Sequence, residues 1–159
     1  MAHEVFDQTA AFQHAYRCGY TDIVQFFLAD GRADPTTNGN AAIILSSEFR
    51  QTDVVKLLLE DARADPTADD NSAIRFSSEN GHVGVVRLLL ADGRTDPTAG
   101  DNYAIQASSW NGYADVVRLL LADGRADPTA DNNYALRLSS AKGHTDVMEL
   151  LLADGRVDN

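Results

Sequence analysis

The tripeptide Asp-Pro-Thr begins at Asp34, Asp65, Asp96 and Asp127, each 31 residues after the last, and Asp158 stands on the same step. A fixed period of about 20–50 residues is the sequence signature of a solenoid. In such a fold each unit buries its apolar face on its neighbours, and the stack offers one long surface instead of a single cleft. That shape favours binding over catalysis. Five steps of 31 fill nearly all of the 159 residues, so the units make one stack and one domain. The units run over 1–33, read as an N-terminal cap, and then 34–64, 65–95, 96–126 and 127–157.

The segment from Asp96 to Ala126 shows how one unit is built. Asp96-Pro97-Thr98-Ala99-Gly100-Asp101 is turn chemistry: Pro fixes φ, Gly allows positive φ, and Asp bonds its own backbone. Asn102 stands where a helix N-cap belongs, with a side-chain oxygen to accept from the first free N–H groups. A helix follows over about Tyr103 to Asn111. Ala104, Ile105 and Ser108 form its one-sided stripe, and small Ser108 and Ser109 let a neighbouring helix approach closely. Gly112 ends it in a left-handed conformation. A second helix runs over about Ala114 to Ala122. Its stripe of Val116, Val117, Leu119, Leu120 and Leu121 is wide enough to need cover on several sides. Gly124 stops it. Each unit is therefore helix, tight turn, helix, loop: an all-α repeat solenoid of five stacked helix-turn-helix units with short loops.

Ser77-Ser78-Glu79-Asn80-Gly81-His82-Val83-Gly84-Val85-Val86-Arg87-Leu88-Leu89-Leu90 resembles the ankyrin-repeat pattern of two small residues, Gly-His, Val-Val and Leu-Leu-Leu. The frame recurs at Gly112-Tyr113 with Val116-Val117 and Leu119 to Leu121, and at Gly143-His144 with Val147-Met148 and Leu150 to Leu152. The resemblance covers the whole chain and implies the ankyrin fold and a protein-binding role. The departures are informative. The family's usual unit has about 33 residues, and the shortfall here lies in the loop between Gly124 and Asn133 and its equivalents. Fingers too short to pair as β-strands are expected. The family's Thr-Pro-Leu-His helix start becomes Ser72-Ala73-Ile74-Arg75 or Tyr134-Ala135-Leu136-Arg137, so capping passes to Asn40, Asn71, Asn102 and Asn133. The Asn that resembling proteins offer for hydroxylation is replaced by Thr36, Thr67, Thr98 or Thr129.

Net charge is −11, which repels phosphate backbones and anionic lipids, so neither nucleic acid nor a membrane surface is an expected partner. The 13 basic residues are spread over all units. With one cysteine, Cys18, no internal disulfide can form, which fits a reducing compartment. No His neighbours Cys18 in sequence to activate it. No basic-then-apolar leader opens the chain, and no apolar run approaches the ~20 residues of a membrane span. An intracellular location, cytoplasmic or nuclear, is expected.

Catalytic residues, metal ligands and cofactors are not expected. Asp65-x-Thr67-x-Asp69-x-Asn71 has the alternate-residue spacing of a calcium loop but lacks its central Gly and closing Glu. Asp127-x-Thr129-x-Asp131-x-Asn133 fails likewise. His82 and His144 are turn residues two units apart. The chain holds no phosphate loop, Gly-x-Ser-x-Gly or Cys-x-x-Cys.

Some positions repeat without change, among them Arg32, Arg63, Arg94, Arg125 and Arg156, and Asp30, Asp61, Asp92, Asp123 and Asp154. With the Asp-Pro-Thr acids they could form an alternating charge ladder along one edge, either structural or ion-binding. Exposed pairs of this kind contribute only ~0–1 kcal/mol each. Other positions vary, and there a partner could be read. Ile44, Phe49, Tyr103, Trp110 and Tyr134, with Arg75, are the candidate protein-binding residues, because aromatics and Arg dominate interface hot spots. The competing reading has these rings fill grooves between stacked units. Unit two is irregular: Arg50 and Ala62 stand where other units have a turn Gly.

Solenoids need polar-faced ends. Unit one, with Val5-Phe6-Asp7-Gln8-Thr9 and then Tyr16, Tyr20, Phe26 and Phe27, reads as a modified cap. Unit five keeps Leu150 to Leu152 unreplaced, which implies weak self-association through an uncapped C-terminal unit or a longer array. The expected function is a non-enzymatic protein–protein interaction module that binds an intracellular protein through the concave face. The alternative is a structural spacer, or a fragment of a longer ankyrin array, with no partner of its own.

Overall fold

The computed structural model describes residues 8–157. These residues form helices α1 (Gln8–Cys18), α2 (Thr21–Ala29), α3 (Thr37–Glu48), α4 (Thr52–Glu60), α5 (Ala68–Glu79), α6 (Val83–Asp92), α7 (Ala99–Trp110), α8 (Ala114–Asp123), α9 (Ala130–Lys142) and α10 (Thr145–Ala153). No strand occurs among the described residues. The helices pack as five antiparallel pairs, and each pair stacks on the next: α1, α3, α5, α7 and α9 form one row, and α2, α4, α6, α8 and α10 the other. The described residues thus form a helical solenoid. Val5, Phe6 and Asp158 lie outside the described residues.

The repeated apolar positions fill the space between pairs. Val54, Val55 and Leu58 are fully buried, as are Val85, Val86 and Leu89, and then Val116, Val117 and Leu120. Each such side chain contributes about 1.5–3 kcal/mol. The first helices approach one another more closely than the second helices do. Their contact rows explain this: Ser46-Ser47, Ser77-Ser78 and Ser108-Ser109 are all fully buried. Ser46, Ser77 and Ser108 donate to carbonyls of their own helix. The hydroxyls of Ser47, Ser78 and Ser109 find no partner among the described residues. That second row is selected for size, since a larger side chain would push neighbouring helices apart.

The corner into each first helix differs from the one the sequence suggests. Asp69, Asp70 and Asn71 have φ of 52°, 54° and 57°, one turn of left-handed backbone. The same three-residue turn occurs at Asn38–Asn40, Gly100–Asn102 and Asp131–Asn133. All twelve positions are Asn, Asp or Gly, the residues that tolerate this region; others lose about 1–2 kcal/mol apiece there. A backbone bond closes each turn, with the Asn71 N–H donating to the Thr67 carbonyl at 2.9 Å and the Asn102 N–H to that of Thr98 at 2.7 Å. The expected start at Tyr103 stands, since Tyr103 is the first residue of α7 after the left-handed turn. The expected N-cap does not. A capping residue is extended, whereas Asn102 has φ 64°. Its side chain looks to the next unit instead. Asn40, Asn71 and Asn102 each accept, through Oδ1, the N–H of the Asp 25 residues on, at 2.8, 2.8 and 2.7 Å.

The Asp that opens each unit is occupied within its own turn. Asp96 Oδ1 accepts from both the N–H and the hydroxyl of Thr98, at 2.8 and 2.7 Å, and Asp34, Asp65 and Asp127 repeat this. Asp-Pro-Thr is therefore a self-bonded turn. Within each pair the helices meet at a residue of positive φ. Gly81 and Gly112 are there for space as well as φ, because a Cβ would lie 2.8 Å from the Tyr113 ring and 2.7 Å from the His144 ring. Arg50 takes the equivalent place at φ 62° without being glycine. Ala62 carries no such strain. α6 and α8 end at left-handed Gly93 and Gly124, but α4 leaves through an extended Asp61 (ψ 102°).

The Asn71 side chain has two jobs, left-handed tolerance and the bond to the Asp96 N–H, and two substitutions separate them. Asn71→Gly should lose only the bond, about 1 kcal/mol. Asn71→Ala should lose the tolerance too, about 2–3 kcal/mol in all. Urea unfolding midpoints should rank parent, Gly, Ala; equal midpoints for the two variants would show that the left-handed turn sets no constraint.

Candidate protein-binding surface

Two features run along the stack, a charged edge and a set of rings on the first-helix row. The edge is built from the invariant Arg and Asp rows. Arg94 Nε and Nη2 grip the Asp92 carboxylate at 2.7 and 2.9 Å, while Nη1 and Nη2 reach back to the carbonyls of Ala64 and Leu59 in the preceding unit. Arg63, Arg125 and Arg156 do the same with Asp61, Asp123 and Asp154 and with carbonyls one unit back. Arg32 pairs with Asp30 and lies over the Phe26 ring. The edge is thus a series of staples between units. The Asp-Pro-Thr acids make no direct ion pair with it among the described residues, since Oδ1 of each holds the following Thr. Their charge still acts on the edge Arg of the following step, Asp34 on Arg63, Asp65 on Arg94, Asp96 on Arg125 and Asp127 on Arg156.

The charge pairing tunes the acids. The Arg guanidinium bonded to each of Asp61, Asp92, Asp123 and Asp154 holds its carboxyl below the usual carboxylate range, against an opposing push from partial burial. Asp34 and Asp127 are lowered chiefly by their Thr hydroxyls and N–H groups.

The six residues singled out from the sequence fall in different places. Tyr103, Trp110 and Tyr134 line one groove of about 330 Å³ spanning α5, α7 and α9, together with Glu79, Gln106, Asn111 and Leu138. Trp110 is 42% exposed, and Tyr103 and Tyr134 are half-buried. Phe49 is 43% exposed but lines a separate hollow with Gln13, His14, Arg17 and Cys18. Ile44 packs half-buried against the core. Arg75 stacks over the Tyr103 ring at 5.1 Å and reaches Asp70 at 3.4 Å.

The sequence reading missed that each ring carries a cation of its own chain. Lys142 Nζ sits 3.8 Å from the centre of the Trp110 ring, Arg137 covers Tyr134 at 5.1 Å, and Arg17 covers Phe49 at 5.3 Å. Such pairs contribute roughly 0.5–1 kcal/mol at exposed sites. Arg17 and Lys142 each lie 32 residues from their ring, one unit plus one position, a diagonal neighbour that only stacking reveals. Burial, with the bonded Glu79 carboxylate adding to it, pushes the Tyr103 phenol above its ordinary value.

The histidines serve the stack. The ring Nε2 of His82 bonds the Glu48 carbonyl at 2.8 Å, and that of His144 bonds the Trp110 carbonyl at 2.9 Å, each 34 residues back. His14 does neighbour Cys18 after all, one helical turn earlier, with its ring nitrogens 3.8 Å from the exposed Sγ. Among the described residues no three His, Cys, Asp or Glu side chains converge as a metal site requires, and no helix is long and apolar enough to cross a membrane.

Paired helices at a 31-residue step, tied by bonds that repeat from unit to unit, define a helical repeat protein. The family model described as "Ankyrin repeats (3 copies)" matches residues 2–70 and 74–159, and the chain belongs to the ankyrin-repeat family. Members of this family serve in general as protein–protein interaction modules. No curated protein sequence matched the chain.

The depressed edge acids give a pH dependence of defined sign. Their contribution to stability is complete above the unfolded carboxylate value of about 3.9 and is lost as pH falls through the lower folded values. Urea midpoints should fall most steeply below about pH 4. Arg94→Met, which frees Asp92, should make that fall shallower; an unchanged acid limb would contradict the staple.

Proposed function

We propose that this chain is a non-enzymatic protein-binding module that grips its partner on the first-helix side of the stack, at the groove of Tyr103, Trp110 and Tyr134. The observation that carries this reading is the convergence of three variable-position aromatics from α7 and α9 on one open groove. Aromatic anchors in such a setting supply most of the energy of an interface. The closer packing of the first helices supports reading this row as the concave side. The net charge of −11 favours a basic partner surface overall, while at the groove itself Arg75, Arg137 and Lys142 sit over the rings beside the Glu79 carboxylate, which favours an apolar, uncharged anchor there. Encounter with such a surface weakens as salt rises. An intracellular compartment fits the single unpaired cysteine.

The spacer reading draws on one specific observation, the cations already seated on Phe49, Tyr103, Trp110 and Tyr134. The test compares affinity capture from cell extract by the parent, by Trp110→Ala/Tyr134→Ala and by Phe49→Ala, all matched for unfolding midpoint. The module reading expects a basic-surfaced protein held by the parent and by Phe49→Ala at low salt, and lost from the double variant about tenfold or more. Equal capture by all three chains, or no specific capture, would favour the spacer.

A further inference from the structure

The outer faces of the first and last helix pairs carry a second surface, independent of the groove. Position-by-position comparison of the units shows what normally covers it. One row, Val54, Val85, Val116 and Val147, is fully buried. Val147 stays buried in the last pair, α9–α10, so the cover comes from the preceding unit. In the first pair the same row is Ile23, which is 45% exposed. Beside it Tyr20 is 50% and Phe26 is 56% exposed, and the three line an open hollow of about 390 Å³ with Ala11 and Phe27. The described part of the first pair thus ends in an apolar face, not the polar one expected of a cap.

The complementary rows behave in the opposite sense. Ile43, Ile74 and Ile105, Val55, Val86 and Val117, and Ser47, Ser78 and Ser109 are fully buried under the following unit. In the first pair their counterparts Phe12, Val24 and Tyr16 are also buried. In the last pair Leu136 and Met148 are only half-buried, Ser140 is exposed, and Leu152 is 38% exposed. Among the described residues the two open faces are therefore the two halves of one interface, which the five helix pairs form four times between themselves.

The polar bonds of that interface are also poised at both ends. Gln51, His82 and His144 each donate through Nε2 across it to the carbonyls of Arg17, Glu48 and Trp110. Tyr20 stands in the same row as Tyr113, where Asn111 Nδ2 takes the carbonyl of Glu79 instead, and the carbonyl row continues to Ala141. Arg94, Arg125 and Arg156 bond the carbonyls of Ala64, Thr95 and Ala126. Arg32 stands in the same row, and the carbonyl row continues to Val157.

We propose that the occupant of the α1–α2 face is the α9–α10 face of a second copy of this chain, stacked head to tail so that the internal repeat continues across the junction. Such a contact is heterologous and does not close, so it builds short open oligomers, not a dimer of fixed size. Each copy carries a charge of −11, so association strengthens with salt as the mutual repulsion is screened.

Sedimentation velocity over a wide concentration range tests this with the full chain. The parent is expected to rise from 17.2 kDa to several-fold that mass, more readily at high salt. Ile23→Asp spoils the head and Leu152→Asp the tail; both residues are exposed, and unchanged unfolding midpoints would show that the variants fold. Each variant alone should be monomeric, and an equal mixture should form dimers and nothing larger, because one good head and one good tail remain. A parent that stays monomeric throughout would overturn the proposal. So would association by Leu152→Asp alone, which is the mark of head-to-head pairing, or by Ile23→Asp alone, the mark of tail-to-tail pairing.

Discussion

Every boundary between units leaves backbone N–H and C=O groups that neither helix can satisfy, and the neighbouring unit supplies side chains that do. Asn40, Asn71 and Asn102, at the ends of three left-handed turns, take the N–H of the next Asp-Pro-Thr. The edge arginines take carbonyls one unit back. Gln51, His82 and His144 take the carbonyls at the ends of the preceding first helices. Buried or half-buried backbone groups left unpaired cost as much as lost hydrogen bonds. These bonds therefore add to the Val and Leu rows in fixing the spacing of the stack. They also account for the sequence: the Asn and Arg that bond backbone groups of the neighbouring unit recur 31 residues apart.

The remaining positions are released from that duty, and the candidate binding surface is assembled from them. Tyr103, Trp110 and Tyr134 come from variable rows, yet the fixed rows place them side by side. His144 bonds the carbonyl of Trp110 itself, so a structural staple holds the residue on which the groove centres. The cations over the rings hold their orientation further. On the proposed function, a partner would meet rings that are already positioned, which limits the ordering cost of binding.

Much of the fold was legible because two periods coincide. Val-Val with Leu-Leu-Leu gave the second helices, and the paired serines before Gly81 and Gly112 gave the first helices and their turns. The corners were not legible. Asn and Asp are favoured both as N-caps and in left-handed turns, so Asn71 or Asn102 alone could not distinguish the two, and only the backbone does. The charged edge was half legible: Arg94 with Asp92 follows from two-residue spacing, but the role of Asp96 as a self-bonded turn depends on geometry. The three groove aromatics could be picked from variability. Their cations could not, because Lys142 and Trp110 meet only after stacking. Arg75, chosen for its residue type, lies against Tyr103, and no sequence signal separates that placement from a free one.

The side-chain bonds between units can be seen directly in the hydrogen exchange of three amides. Asp65, Asp96 and Asp127 are exposed loop residues, so their N–H groups would exchange quickly if only the helices were ordered. If the Asn bonds hold the stack, these three amides should exchange as slowly as those inside α5 and α7, and the Asp96 amide should lose that protection in Asn71→Gly. Exchange of all three at the rate of open loop amides in the parent would contradict the account, and would leave apolar packing alone to set the repeat.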